Sequence, residues 1–132
     1  MRPDNPQEAV GVDVGSVRIG LARGSTAAKL AEPLKTIPAT QAIEEIKKLD
    51  ADLIVVGLPR NLDGNETEQT AYVRQWVDSA KQVIGKPFFW QDEALTSHAA
   101  DSANSKTGQD AVAASVLLQD FLDTPESDWV RC

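Results

Sequence analysis

The chain has 132 residues, of which 42% are hydrophobic and 25% charged, and its formal net charge is −7. Two independent hydrophobic cores are hard to build from so few residues, so we expect residues 1–132 to form one domain. The composition is that of a globular protein and excludes a disordered chain. No apolar run is long enough to span a bilayer, the start lacks a signal peptide's apolar stretch, and the single Cys132 excludes an internal disulfide. Together these features predict a cytoplasmic protein.

The negative charge argues against a protein that holds nucleic acid through a broad basic surface. Carboxylates that bind metal ions count in this total but are neutralised when the ions bind. The 13 Lys and Arg residues can still cluster on one face. The charge therefore disfavours tight unassisted binding and leaves room for a brief encounter between an enzyme and a nucleic acid.

Three strands are predicted at the start of the chain. Residues 9–14 alternate Val with Gly or Asp after Ala9, which is the two-residue period of a strand. Gly15 and Ser16 then form a turn, and residues 18–22 continue as the second strand of a hairpin. A third strand is predicted over residues 33–37, between two prolines.

Helices and strands alternate in the rest of the chain. The first helix is predicted to have Thr40 as its N-cap and to place apolar residues on one face as far as Leu49. Residues 52–57 form a continuous apolar run, typical of a strand covered on both faces. A second helix over 66–84, a strand over 88–90 and a last helix from near 107 to 123 follow. This order predicts an α/β fold with a mixed five-stranded sheet and helices on both faces.

Three carboxylates come from separate segments that are expected to meet at one edge of the sheet. Asp13 ends the first strand, Glu93 follows the strand over 88–90, and Asp110 lies in the first turn of the last helix. Mg²⁺ and similar divalent ions take hard oxygen ligands, and two such ions about 3.5–4 Å apart can cleave a phosphodiester. The lone His98 has no second His or Cys at ligand spacing, so a zinc site is not expected.

Each acid also has a purely structural interpretation. Asp13 can be a solvated residue beside a turn, and Asp110 can complete a capping box with Thr107. Asp92 or Thr96 can cap a short helical segment after the strand over 88–90, next to Glu93. Because Asp92 and Glu93 are adjacent, only one of them can face a partner acid. The three acids are more informative together than any one of them alone.

Two polar segments are candidates for contact with a substrate. Residues 57–64 form a loop after the fourth strand, and this loop is either a turn into the next helix or a surface where Arg60 meets a phosphate. Arg18 belongs to a hairpin whose glycines let backbone amides approach an anion closely.

At four places the sequence resembles the YqgF family, also called RuvX, which is described as pre-16S rRNA nucleases and is related to RuvC-type Holliday junction resolvases. Residues 11–22 resemble the family's opening hairpin, and residues 55–64 resemble its middle loop. Residues 92–96 resemble its third motif, and residues 110–119 its closing helix. Four motifs in the right order make this a specific resemblance.

The resemblance implies a ribonuclease H-like fold and a nuclease that uses Mg²⁺ or Mn²⁺. Its implied substrate is structured RNA in the 5′-end maturation of pre-16S rRNA or a ribosomal precursor, and we expect a monomer or a weak homodimer. The acids that match the family's proposed site, as catalytic residues and metal ligands, are Asp13, Glu93 and Asp110. The residues expected to contact the substrate are Arg18, Arg60, Asn61, Asp63 and Thr96.

Two departures from the family pattern keep alternatives open. Ala94 stands where the family usually has Arg, and Lys106 is the only cation between residues 96 and 110. A non-catalytic RNA- or ribosome-binding module that retains the fold is therefore the alternative. A nucleotide-binding phosphotransferase of the actin-like type needs a second lobe, for which 132 residues leave no room.

Overall fold

The computed structural model describes residues 7–61, 63–94 and 109–132, without the side chains of Glu93, Ala94 and Gln109. The elements in chain order are β1 (Glu8–Val14), β2 (Arg18–Ser25), β3 (Leu30–Pro38), α1 (Ala42–Leu49), β4 (Leu53–Arg60), α2 (Glu68–Ile84), β5 (Phe88–Ala94), α3 (Gln109–Asp123) and β6 (Val130–Arg131). Among these residues, no helix has both the length and the apolar character needed to cross a membrane.

All of these strands belong to one mixed sheet with the order β3-β2-β1-β4-β5-β6. β1, β4 and β5 are parallel neighbours, so their carboxyl ends meet at one edge of the sheet. The other pairings are antiparallel. The predicted mixed sheet is confirmed, but the predicted count of five strands is wrong. β6 adds a sixth strand of two residues, which is too short to show a hydrophobic period.

The two faces of the sheet carry different helices, as predicted. Val10, Val12 and Val14 project into a core shared with α1 and α2. The intervening residues of β1 face α3, which packs through a second core of apolar side chains. The buried α3 residues of this core are Ala114, Leu117, Leu118, Phe121 and Leu122.

Glycines on β1 and β2 allow α3 to lie directly on the sheet. A Cβ atom at Gly11 would lie 2.8 Å from Cβ of Leu118 and 2.9 Å from the carbonyl oxygen of Ala114. A Cβ atom at Gly24 would lie 3.0 Å from a methyl group of Leu122. These separations are shorter than ordinary van der Waals contacts, so any larger residue requires the helix to move. Glycine in these strands marks a close approach of helix and sheet.

Several predicted element boundaries are wrong. Thr40 is not the N-cap of α1, because it lies in a 3-10 turn and the helix begins at Ala42. β4 and β5 both continue beyond their apolar runs, since their ladder extends to the pair Arg60 and Ala94. Residues 57–60 are therefore strand and not loop, and Asp92 lies within β5, while the segment that it was expected to cap lies outside the described residues. Inter-strand hydrogen bonding, which hydrophobicity does not report, extends these strands.

The start of α2 differs from its prediction by two residues. Thr67 is its N-cap, and the helix begins at Glu68 and not at residue 66. The side chains of Thr67 and Thr70 form a reciprocal capping box. Thr107, the predicted cap of α3, lies outside the described residues.

Replacing Gly11 with Ala tests the close packing of α3. We expect Gly11→Ala to lower the free energy of unfolding by about 1–3 kcal/mol, because its Cβ overlaps the helix backbone. Val112→Ala, on the exposed outer face of α3, is the matched control, and it should change the same quantity by less than about 0.5 kcal/mol. Denaturant titration measures both variants, and equal effects would show that the contact is not tight.

Candidate active site

Asp13 lies one residue before the carboxyl end of β1, on the face that α3 covers. Burial, followed by the negative charge of Asp110, raises the pKa of Asp13 from 3.8 to about 6. No described residue donates a hydrogen bond to its carboxylate. Such a carboxylate is stabilised by a proton or by another cation.

Asp110 lies in the first turn of α3, where the helix dipole favours a negative charge. Nε of Arg18 donates a hydrogen bond to Oδ2 of Asp110 over 3.2 Å. The side chain of Arg18 is 59% exposed and that of Asp110 is 27% exposed, so solvent screens much of this ion pair. The structure therefore brings Asp13, Arg18 and Asp110 into one cluster at the start of α3.

Glu93 has a known backbone position, while its side chain lies outside the described residues. In the parallel ladder, Glu93 is opposite Pro59, near the carboxyl end of β5. Asp92 belongs to the other face, where Oδ1 of Asp92 lies 2.8 Å from Nε of Arg60. That nitrogen is buried and its N–H is poorly aligned, so this contact is an ion pair and not a good hydrogen bond. Strand alternation thus assigns position 93, not 92, to the α3 face.

The remaining predicted substrate contacts have varied surroundings. Besides its ion pair with Asp92, Arg60 donates a hydrogen bond from Nη1 to the carbonyl oxygen of Gly64 over 3.3 Å. Oδ1 of Asn61 accepts hydrogen bonds from the backbone N–H groups of Asp63 and Asn65, so this side chain shapes the loop. Asp63 itself is exposed. Thr96 lies outside the described residues.

Two residues that the sequence did not single out tie α2 to the same sheet edge. Nε2 of Gln69 donates to the carbonyl oxygen of Val14, at the end of the strand that carries Asp13. Oγ1 of the buried Thr70 donates to the carbonyl oxygen of Pro59 over 2.6 Å. The three-residue spacing of Thr67 and Thr70 is that of a capping box. The sequence did not reveal it because the third helical position carries Thr and not the usual Glu or Gln.

The donor chemistry of the cluster fits a divalent cation. Asp13 and Asp110 supply carboxylate oxygens, and the pKa of Asp13 is raised first by burial and then by the negative charge of Asp110. No group of three His, Cys, Asp or Glu ligands exists within the described ranges, which lack the Glu93 side chain. Two of the three predicted ligands are therefore brought together, and the third remains a prediction.

Comparison with known proteins identifies the family. Residues 7–124 match the RuvX family, described as Holliday junction resolvase. The chain belongs to the RuvX family. A relative from Chloroflexus aggregans, named "Putative pre-16S rRNA nuclease", is 40% identical over 90% of this RuvX chain and 95% of its own length. A relative of the same name from Roseiflexus is 37% identical over 90% of this chain and 96% of its own. This RuvX chain is thus a hydrolase of the nuclease class.

Solved structures confirm the predicted ribonuclease H-like fold. RuvC from Thermus thermophilus aligns with 95% of this RuvX chain and 99% of its own, with a TM-score of 0.59 and 12% sequence identity. A second structure of that RuvC, in complex with a Holliday junction substrate, gives the same TM-score at 13% identity. At such low identity the likeness establishes the fold alone.

The ionisation of Asp13 makes a prediction for stability. Because its folded pKa is raised, its contribution to stability is fully present below pH 3.8 and is lost as the pH rises through about 6. In metal-free buffer at pH 7, we expect Asp13→Asn to raise the free energy of unfolding by up to about 3 kcal/mol. The gain should shrink near pH 4, where the folded wild type holds Asp13 protonated.

Denaturant titration with a chelator present measures this effect. Asp63→Asn, which removes an exposed carboxylate of the loop, is the matched control and should change stability little at either pH. An Asp13→Asn variant no more stable than wild type at pH 7 would contradict the electrostatic account of the cluster.

Proposed function

We propose that the chain is a divalent-metal-dependent nuclease that hydrolyses RNA phosphodiester bonds in the 5′-end maturation of pre-16S rRNA. Asp13, Glu93 and Asp110 are the proposed metal ligands, with Mg²⁺ or Mn²⁺ as the ion. Arg18 is the principal proposed contact with a substrate phosphate. The proposed compartment is the cytoplasm, and the proposed form is a monomer or a weak homodimer.

We prefer RNA over a DNA junction as the substrate because the relatives named for RNA are much more similar in sequence to this chain than the junction-binding RuvC is. The relatives from Chloroflexus aggregans and Roseiflexus match nearly the whole chain at 37–40% identity, and both names specify pre-16S rRNA. The RuvC bound to a Holliday junction is only 13% identical. Function follows the site more closely than the fold, so the similar sequences are the better guide to the substrate.

The observation that carries the metal proposal is the unfavourable pairing of Asp13 with Asp110. Burial and mutual repulsion both oppose the ionised form of Asp13. A bound cation offsets both penalties at once, so the pairing of these two carboxylates favours metal binding. When bound, such ions supply an activated water and stabilise the leaving oxygen.

Arg18 and Glu93 complete the proposal from either side of the two aspartates. Arg18 is largely exposed and its partner Asp110 is solvent-accessible, so the ion pair can exchange for a phosphate at little cost. Its planar guanidinium suits two hydrogen bonds to phosphate oxygens. Position 93 belongs to the same sheet face as Asp13, and the intervening residue of β4 on this face is Gly57, which has no side chain to place between them.

Replacing Asp13 tests the proposed activity directly. We expect Asp13→Asn to lower the rate of metal-dependent cleavage of a precursor 16S rRNA fragment by at least about 100-fold, because a carboxylate ligand is lost. Circular dichroism should show a folded protein. Asp78→Asn is the matched control, since it removes the same charge from the exposed surface of α2, away from the proposed substrate contacts, and it should retain most of the activity.

Other outcomes of this assay discriminate among the alternatives. Equal cleavage by wild type and Asp13→Asn would remove the case for the site. Wild-type RNA binding without cleavage and without Mn²⁺ binding would support the non-catalytic module. Preferential cleavage of a four-way DNA junction would redirect the substrate assignment and keep the metal site.

The pKa of Asp13 also predicts how metal binding depends on pH. Protons compete with the ion for this carboxylate, so Mn²⁺ affinity should fall up to about tenfold per pH unit below pH 6. Calorimetric titration between about pH 5 and pH 7.5 measures this slope, with Asp63→Asn as a control that keeps it. An affinity independent of pH over this range would exclude Asp13 as a ligand.

A further inference from the structure

The start of α3 is held by a side chain of the sheet. The backbone N–H of Ala111 donates a hydrogen bond to Oγ1 of Thr36, on β3, over 3.2 Å. Ala111 is the third residue of α3 and is only 2% exposed. An N–H at this position has no partner within the helix and is normally satisfied by an N-cap side chain. Here Thr36 provides the acceptor from another element.

Strand register places this contact beside the proposed metal ligands. Thr36 is opposite Gly20 in the β2–β3 ladder, and Gly20 is opposite Asp13 in the β1–β2 ladder. The three residues thus form one row across three strands, below the first turn of α3. A Cβ atom at Gly20 would overlap the backbone carbonyl of Asp110. The backbone of Asp110 therefore occupies the space that a side chain at position 20 would fill.

We propose that Thr36 and Gly20 are positioning residues that hold Asp110 against Asp13 for metal binding. The inference rests on the proposed function. Repulsion between the two carboxylates acts to push the first turn of α3 away from the sheet. Thr36 opposes this movement through its hydrogen bond, and Gly20 makes the close position sterically accessible.

The location of the contact separates this role from general packing. The large apolar residues of α3 that enter the core begin at Leu117, nearly two turns after Asp110. Thr36 acts on the first turn itself, and that turn carries the ligand. Its loss should therefore shift Asp110 more than it shifts the rest of the helix.

Valine and serine variants of Thr36 provide the test. Thr36→Val keeps the shape and removes the acceptor, and we expect Mn²⁺ affinity, measured by calorimetry, to fall about tenfold, as for other residues that orient metal ligands. Thr36→Ser keeps a hydroxyl and should restore most of the affinity. Gly20→Ala leaves every hydrogen-bonding group in place and should also weaken Mn²⁺ binding, because it displaces Asp110.

A matched control distinguishes positioning from a loss of stability. Leu122→Val reduces packing at the far end of α3, where its side chain is buried, and should lower the unfolding midpoint while Mn²⁺ affinity stays at the wild-type value. If Thr36→Val loses stability but binds Mn²⁺ as wild type does, Thr36 is only a structural cap and the proposal is overturned.

Amide hydrogen exchange gives a readout that does not depend on metal. Thr36→Val should accelerate exchange of the Ala111 amide while the amide of Leu118 keeps its protection. Failure of wild type to bind Mn²⁺ would count against the proposed function. An Ala111 amide as protected in Thr36→Val as in wild type would count separately against the positioning role.

Discussion

The close contact between α3 and the glycines of β1 and β2 is the constraint on which the rest of the structure depends. Helix and sheet usually meet through side chains, but here the helix backbone touches strand backbone at Gly11 and Gly20. A helix lifted by one layer of side chains would carry Asp110 away from Asp13. The positions of the two carboxylates are therefore a consequence of residues that have no side chain.

This contact forces an unfavourable electrostatic arrangement that the core has to outweigh. Burial and the neighbouring Asp110 destabilise ionised Asp13 by up to about 3 kcal/mol at neutral pH. The buried apolar side chains of α3 each contribute about 1.5–3 kcal/mol, and at least four of them are large: Leu117, Leu118, Phe121 and Leu122. Packing of the helix thus exceeds the cost of the charges several-fold. The fold can therefore maintain this repulsive pair of carboxylates, an arrangement that is expected at functional sites.

The sequence predicted those features that depend on local periodicity. Alternation of Val with Gly and Asp identified β1, and the apolar run 52–57 identified β4 as a strand covered on both faces. It did not predict β6 or the extensions of β4 and β5, because pairing with a neighbouring strand determines them. The ion pair of Arg60 with Asp92 and the hydrogen bond from Ala111 to Thr36 join distant segments. Such contacts become visible only when the strand register is known.

The distribution of cations shows how an acidic protein of this kind can act on a nucleic acid. Among the described Lys and Arg residues, those in ion pairs with carboxylates are Arg18, Arg23, Lys35, Lys48, Arg60, Arg74 and Lys86. The charges of these cations are offset by neighbouring carboxylates, which weakens the broad basic face on which non-specific binding depends. Under the proposed function, attraction for a phosphate is local: it comes from metal ions held by Asp13 and Asp110, and from Arg18 once its ion pair with Asp110 exchanges for the phosphate. The proposed metal ions would then serve both affinity and catalysis, which would couple binding of the substrate to occupation of the site by metal.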